Sequence, residues 1–155
     1  MMHVMGTVQL SDQGRDAVRD REITATLRIS PAWRDLRPLR GLVAAAAAAA
    51  GVDVDDAQLV VTELAANALT HTRSATLGAD LWLAGAVGRL VVCVTDAGGP
   101  TAGPVSPAAY APGDLSGRGL ALVEALSGAW GVVGDVAGRM VWARFTGPHA
   151  AGGAS

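Results

Sequence analysis

Lysine is absent from the 155-residue chain: all 12 basic side chains are Arg. That removes every chemistry that depends on a side-chain amine, namely a phosphate-loop Lys, a Schiff base or a Lys general base. Asn occurs once, at Asn67. Cys also occurs once, at Cys93, which excludes an internal disulfide and a thiolate metal cluster. Its apolar setting, LVVCVT, marks it as a small buried residue. There is no basic tract, and the net charge of −2 with a sequence pI near 5.8 speaks against a nucleic-acid partner. The first residues, MMHVMGTVQLSDQGRD, hold no uninterrupted apolar stretch of signal-peptide length. The longest small-apolar run, Leu42 to Val52, is mostly Ala and too short to span a bilayer. A cytoplasmic location with no membrane partner is therefore expected. Only 4% of residues are aromatic, and Trp33, Trp82, Trp130 and Trp142 read as core or dimer-contact residues rather than a base-stacking set.

Half of the residues are hydrophobic and 17% are charged, which suits one soluble globular domain with a single core. The pattern predicts a loose tail over 1–20, a domain over 21–146 and a second tail over 147–155. Ile23, Ala25, Leu27 and Ile29 alternate, as in a strand with one buried face. A helix is expected from near Leu36, capped by Asp35, with Pro38 in its first turn and Gly51 at its end; an earlier start at Pro31 with a kink at Pro38 is the alternative. A second helix is expected over 53–72, with acidic residues at its positive end. Leu77, Ala79, Leu81 and Leu83 alternate in a further strand. RLVVCVTD is denser, as in a strand covered on both faces. A long Gly, Pro and Ala stretch over 97–116 precedes a helix from about Gly117 to Leu126. Two strands, WGVVGDV and RMVWARF, close the domain around a turn at Ala137–Gly138. The order β, α, α, β, β, loop, α, β, β implies an α/β two-layer sandwich, with a mixed, mostly antiparallel sheet and helices on one face.

Three groups of residues carry chemistry. Glu63, Asn67 and His71 recur every fourth residue and share one helical stripe, beside a stripe of Ala57, Val60, Leu64 and Ala68 that can face the core. The Asn67 amide oxygen is a hard ligand suited to Mg²⁺, and Glu63 can take a proton from an attacking hydroxyl. The same residues also fit a solvated helical face. Asp96, at the end of an apolar strand and followed by Ala97-Gly98-Gly99, can accept a hydrogen bond from an amino group such as adenine's, or simply start a turn. Ser116-Gly117-Arg118-Gly119-Leu120 opens a helix: its backbone N–H groups and Arg118 suit an anion, and Ser116 also suits a plain helix cap.

In combination these motifs carry a resemblance. ELAANALTH resembles the N box of the GHKL (histidine kinase/Hsp90-like) ATPase fold, with its Bergerat-type ATP-binding sandwich. DAGGP resembles its G1 box, and GRGLALVEALSGAWGVV with GRMVWARF its G2 box and terminal hairpin. The likeness spans about residues 22–146 and is nearest to the small bacterial branch of serine-kinase anti-sigma factors and their ATP-binding relatives. It implies ATP and Mg²⁺ as cofactors, with Glu63 as general base and Asn67 as the Mg²⁺ ligand. It implies that Asp96 binds the adenine amino group with Gly98 beside the ring, that Gly117, Arg118, Gly119 and Leu120 complete the ATP site, and that 99–116 form an ATP lid. It further implies a homodimer that phosphorylates a serine on an anti-anti-sigma partner and otherwise holds a sigma factor; the alternative is a non-catalytic ATP-binding module that switches partner binding. His71 fits a helix end better than a phosphoacceptor, and Val141 stands where many members place a Thr near adenine.

Overall fold

The computed structural model describes residues 23–31, 36–71, 77–99, 115–135 and 137–148. The expectations for the tail over 1–20, for Trp33 and Asp35, for the lid between 100 and 114 and for residues 149–155 lie outside these, as do the side chains of His71 and of residues 115–118.

The described elements run in the order β1 (Ile23–Ile29), α1 (Arg37–Ala50), α2 (Val54–His71), β2 (Ala79–Ala86), β3 (Arg89–Asp96), α3 (Leu115–Leu126), β4 (Ala129–Asp135) and β5 (Gly138–Thr146). The five strands form one antiparallel sheet in the order β1-β2-β3-β5-β4. Three helices pack on one face, with α1 over β1 and β2, α2 over β3, and α3 against β4 and α2. This is the two-layer α/β sandwich that the element order implies.

Alternation sets the sheet's two faces. Ile23, Ala25, Leu27 and Ile29 are all buried, as are Leu81 and Leu83 of β2 and Leu90, Val92 and Val94 of β3. Ala57, Val60, Leu64 and Ala68 meet them from α2, and Leu39, Val43, Ala46, Ala47 and Ala50 from α1. Alanine at this density lets α1 and α2 lie close against each other. The outer face carries no helix among the described residues. There Thr26, Trp82, Cys93, Trp142 and Gly131 stand in one row across the five strands. On this face Cys93 is buried at 3% exposure, with Trp82 and Trp142 as its cross-strand neighbours. Trp130 packs on the core, whereas Trp82 remains 43% exposed on the outer face.

Several boundaries shift. Leu36 is the N-cap of α1 and makes no side-chain cap bond, and Pro38 sits in the first turn. Pro31 lies in a turn and α1 begins at Arg37; the alternative of an earlier, kinked start falls on residues 32–35, outside the described ones. Gly51 ends α1 in the left-handed region at φ 71°, and Val52 N–H donates to Ala47 O. Asp53 caps α2 through Oδ1, which accepts from Asp56 N at 2.9 Å. Leu77 precedes β2 and is 57% exposed, because Gly78 at φ +81° turns the chain before the alternation begins. α3 starts at Leu115, so Ser116 is inside the helix rather than its cap. Asp135 pairs with Gly138, so Gly138 is the first residue of β5 rather than part of the turn.

Candidate functional site

The fold has two distinguishable ends. At one, Gly88 N–H donates to Ala50 O and Gly147 N–H to Gly88 O, which gathers the end of α1, the start of β3 and the end of β5. Helix α2 begins just after Gly51, so it starts at this end and runs toward the other. The far end therefore holds the last turns of α2, the end of β3 and the start of β5. Gly128 N–H donates to Arg144 O, so α3 finishes near the first end and must begin at the far one. Topology alone thus brings Asn67, Asp96, Gly98 and the first turns of α3 to the same end of the sandwich.

Side chains tighten that placement. Gly119 is buried, and a Cβ built on it would stand 2.6 Å from Glu63 Oε2 and 3.7 Å from Asn67 Nδ2. The start of α3 therefore lies directly on the Glu63–Asn67 stripe. Glu63 and Asn67 are both half-buried, and neither belongs to the apolar core. Amide N–H groups in the first turn of a helix carry no intrahelical partner and attract negative charge. Gly117 and Arg118 fall in that turn, and Leu120 is buried at 1% exposure. His71 is the last residue of α2, the helix-end position expected of it.

Asp96 closes β3 and is buried. Its Oδ1 accepts from Gly98 N at 2.7 Å, and its Oδ2 accepts from Arg139 Nε at 2.9 Å. The first bond is an Asx turn, so the simpler reading of D-A-G-G as a turn is part of the arrangement. Gly98 at φ 68° and Gly99 at φ 149° take backbone angles that other residues rarely adopt, and both are buried. Val141, where a Thr is common in the resembling family, faces the core and pairs with Val94.

Arg139 lies in the hairpin stretch GRMVWARF and was assigned no role there, yet its signal was present. In RMVWARF it alternates with Val141, Ala143 and Phe145, all buried. A charged residue in phase with a buried apolar set requires a buried partner. Directly opposite it in the sheet stands Asp96.

Among the described residues, no helix is long and apolar enough to cross a membrane, and no group of three or more His, Cys, Asp or Glu is placed to hold a metal. The family model of the histidine kinase-like ATPase domain matches residues 29–145. Comparison with curated proteins gives no significant match.

Proposed function

Since the chain belongs to the histidine kinase-like ATPase domain family, an ATP-binding fold, we propose that it is an ATP·Mg-dependent protein serine kinase of the anti-sigma-factor type. It works as a cytoplasmic homodimer, phosphorylates a serine on a small anti-anti-sigma partner, and regulates transcription by holding a sigma factor. The observation that carries this reading is the approach of Gly119 to Glu63 and Asn67. It sets a carboxylate and a carboxamide beside the start of a helix, the combination that phosphoryl transfer requires.

The residues fit the nucleotide. Having no Cβ, Gly119 lets α3 pack directly against the Glu63 carboxylate, and Asp96 supplies a buried acceptor for the base's amino group. Asn67 would hold Mg²⁺, whose charge neutralises the phosphate oxygens. Gly117 and Arg118 would bind the phosphates at the start of α3; the Gly119 N–H lies past the first turn and is used within the helix, so Gly119 contributes close approach rather than a donor, with Gly98 and Leu120 against the remaining nucleotide. Glu63 accepts the proton of the serine hydroxyl as that oxygen bonds to the γ-phosphorus and ADP departs with the electrons of the broken bond. Positioning and charge neutralisation supply most of the catalysis in such transfers.

One observation favours a second reading, a non-catalytic ATP-binding module. The Asp96 side chain is only 1% exposed. Base entry then requires the groups over Asp96 to part, and such a movement can itself switch a partner surface.

Calorimetric titration with ATP and Mg²⁺ tests the site. Wild type should bind, and Asp96→Asn and Asn67→Ala should each lose affinity. A wild-type protein that binds no ATP overturns the reading. Incubation with labelled ATP and a candidate partner then separates the two readings, since phosphoserine forms only with the kinase.

A further inference from the structure

We propose that Arg139 is the positioning residue of the base site. It holds the Asp96 carboxylate in one orientation, and so makes the site select purines with an amino group at position 6 over those with a carbonyl there. This rests on the reading of Asp96 as the base-recognising group.

The two Asp96 oxygens are fixed from different directions. Gly98 N–H holds Oδ1 at 2.7 Å and Arg139 Nε holds Oδ2 at 2.9 Å. The Arg139 and Asp96 side chains are 7% and 1% exposed, so water does not compete for this pair. The backbone leaves Arg139 little freedom. It stands opposite Asp96 in the β3–β5 register, with buried Val141 as its inward neighbour on the same face. On its other flank β4 comes so close at Gly134 that a Cβ there would lie 2.7 Å from Arg139 Cα and 3.1 Å from its Cβ. The guanidinium is thus delivered to Asp96 by the sheet itself.

Charge decides what the pair can do. A buried carboxylate that loses its cation is strongly destabilised, and the amino group of a base is neutral and cannot replace a guanidinium. The base therefore adds to the Arg139–Asp96 pair and does not displace it. An ionised carboxylate accepts about four hydrogen bonds and donates none. Two are in use, and the remaining capacity suits an N–H. A carbonyl oxygen in the same place meets a second acceptor, and a site built for a donor rejects it. Without Arg139 nothing fixes Oδ2 in place, the carboxylate is free to turn about its remaining bond to Gly98 N–H, and its acceptor no longer meets the amino group in one direction.

The test compares ATP with inosine triphosphate, which carries a carbonyl at position 6, in calorimetric titrations with Mg²⁺. Wild type should prefer ATP by at least ~10-fold, the scale of a lost buried hydrogen bond. In Arg139→Met the preference should fall below roughly 3-fold, while Arg139→Lys, which keeps the cation, should restore part of it. A merely structural role would weaken both nucleotides alike and leave the ratio unchanged; that result overturns the proposal. If Arg139→Met does not fold, Arg139→Lys and the neutral pair Asp96→Asn with Arg139→Met carry the comparison, and an undiminished ATP preference in both overturns it as well. Failure of wild type to bind ATP would sink the nucleotide reading itself, a result distinct from binding with a ratio that ignores Arg139.

Discussion

The Cβ that Gly119 lacks would stand 2.6 Å from Glu63 Oε2, well inside van der Waals contact. The atom it meets is the far end of a rotatable side chain, so the clash is relieved by turning Glu63 rather than by moving a helix. Gly119→Ala should therefore fold, and it gains up to ~1 kcal/mol of helix propensity. The displaced carboxylate should lower phosphoryl transfer by about 10²-fold. Thermal unfolding and phosphoserine formation on the same preparation check this; a lower melting temperature with full transfer would contradict it.

Glu63 itself separates chemistry from binding. It is half-buried beside the start of α3 and outside the apolar core. Glu63→Gln should keep its shape and remove its basicity. Transfer to the partner serine should fall by roughly 10²–10⁴-fold. ATP affinity should stay within about a factor of two, because a general base acts on the acceptor hydroxyl and not on the nucleotide. Transfer retained in this variant would withdraw the base assignment.

The sheet and the α2 stripe were legible because one face of each is buried. Burial imposes a period of two on β1 and of about four on α2, and Ile23 to Ile29 and Ala57 to Ala68 show it plainly. The start of α3 was not legible. Ser116 and Gly117 favour turns when read locally, yet both fall inside the helix, which starts at Leu115. Leu77 failed in the opposite sense: its alternation with Ala79 is genuine, but a glycine at positive φ intervenes. The Glu63–Asn67 pair could be read from spacing on one element. The Asp96–Arg139 pair could not, because it joins residues 43 positions apart through a register that only the folded sheet defines.

Cys93 should be chemically quiet. It is 3% exposed, between Trp82 and Trp142 in the sheet, and burial pushes its thiol pKa upward. A raised value lowers the thiolate fraction at every pH below it, and the thiolate is the reactive form. At pH 7.5 a maleimide should label the folded protein at least ~10²-fold more slowly than the same protein in denaturant. Mass spectrometry over time checks this, and rapid labelling of the folded state would mean that the outer face opens around β3.

Asp53 and Asn67 lie at opposite ends of α2, so stability and binding should separate along one helix. The Asp53 carboxylate accepts from Asp56 N at 2.9 Å and satisfies an otherwise orphan N–H. Asp53→Ala should cost about 1 kcal/mol. In a chain of this size that lowers the melting temperature by about 2–4 °C. Loss of the cap frays the first turn, but Val60, Val61, Leu64 and Ala65 are all buried and continue to hold the helix against the sheet. The stripe from Glu63 to Asn67 begins ten residues past the cap, beyond the reach of that fraying. ATP affinity should therefore be unchanged in Asp53→Ala. By contrast, Leu64→Ala removes a buried side chain at 2% exposure next to Glu63 and should cost roughly 2–5 kcal/mol. It should weaken ATP binding as well, because the cavity lies under the stripe itself. Parallel melting and calorimetry on the two variants distinguish local fraying from a disturbed site. Equal losses of affinity in both would show that α2 transmits strain along its whole length.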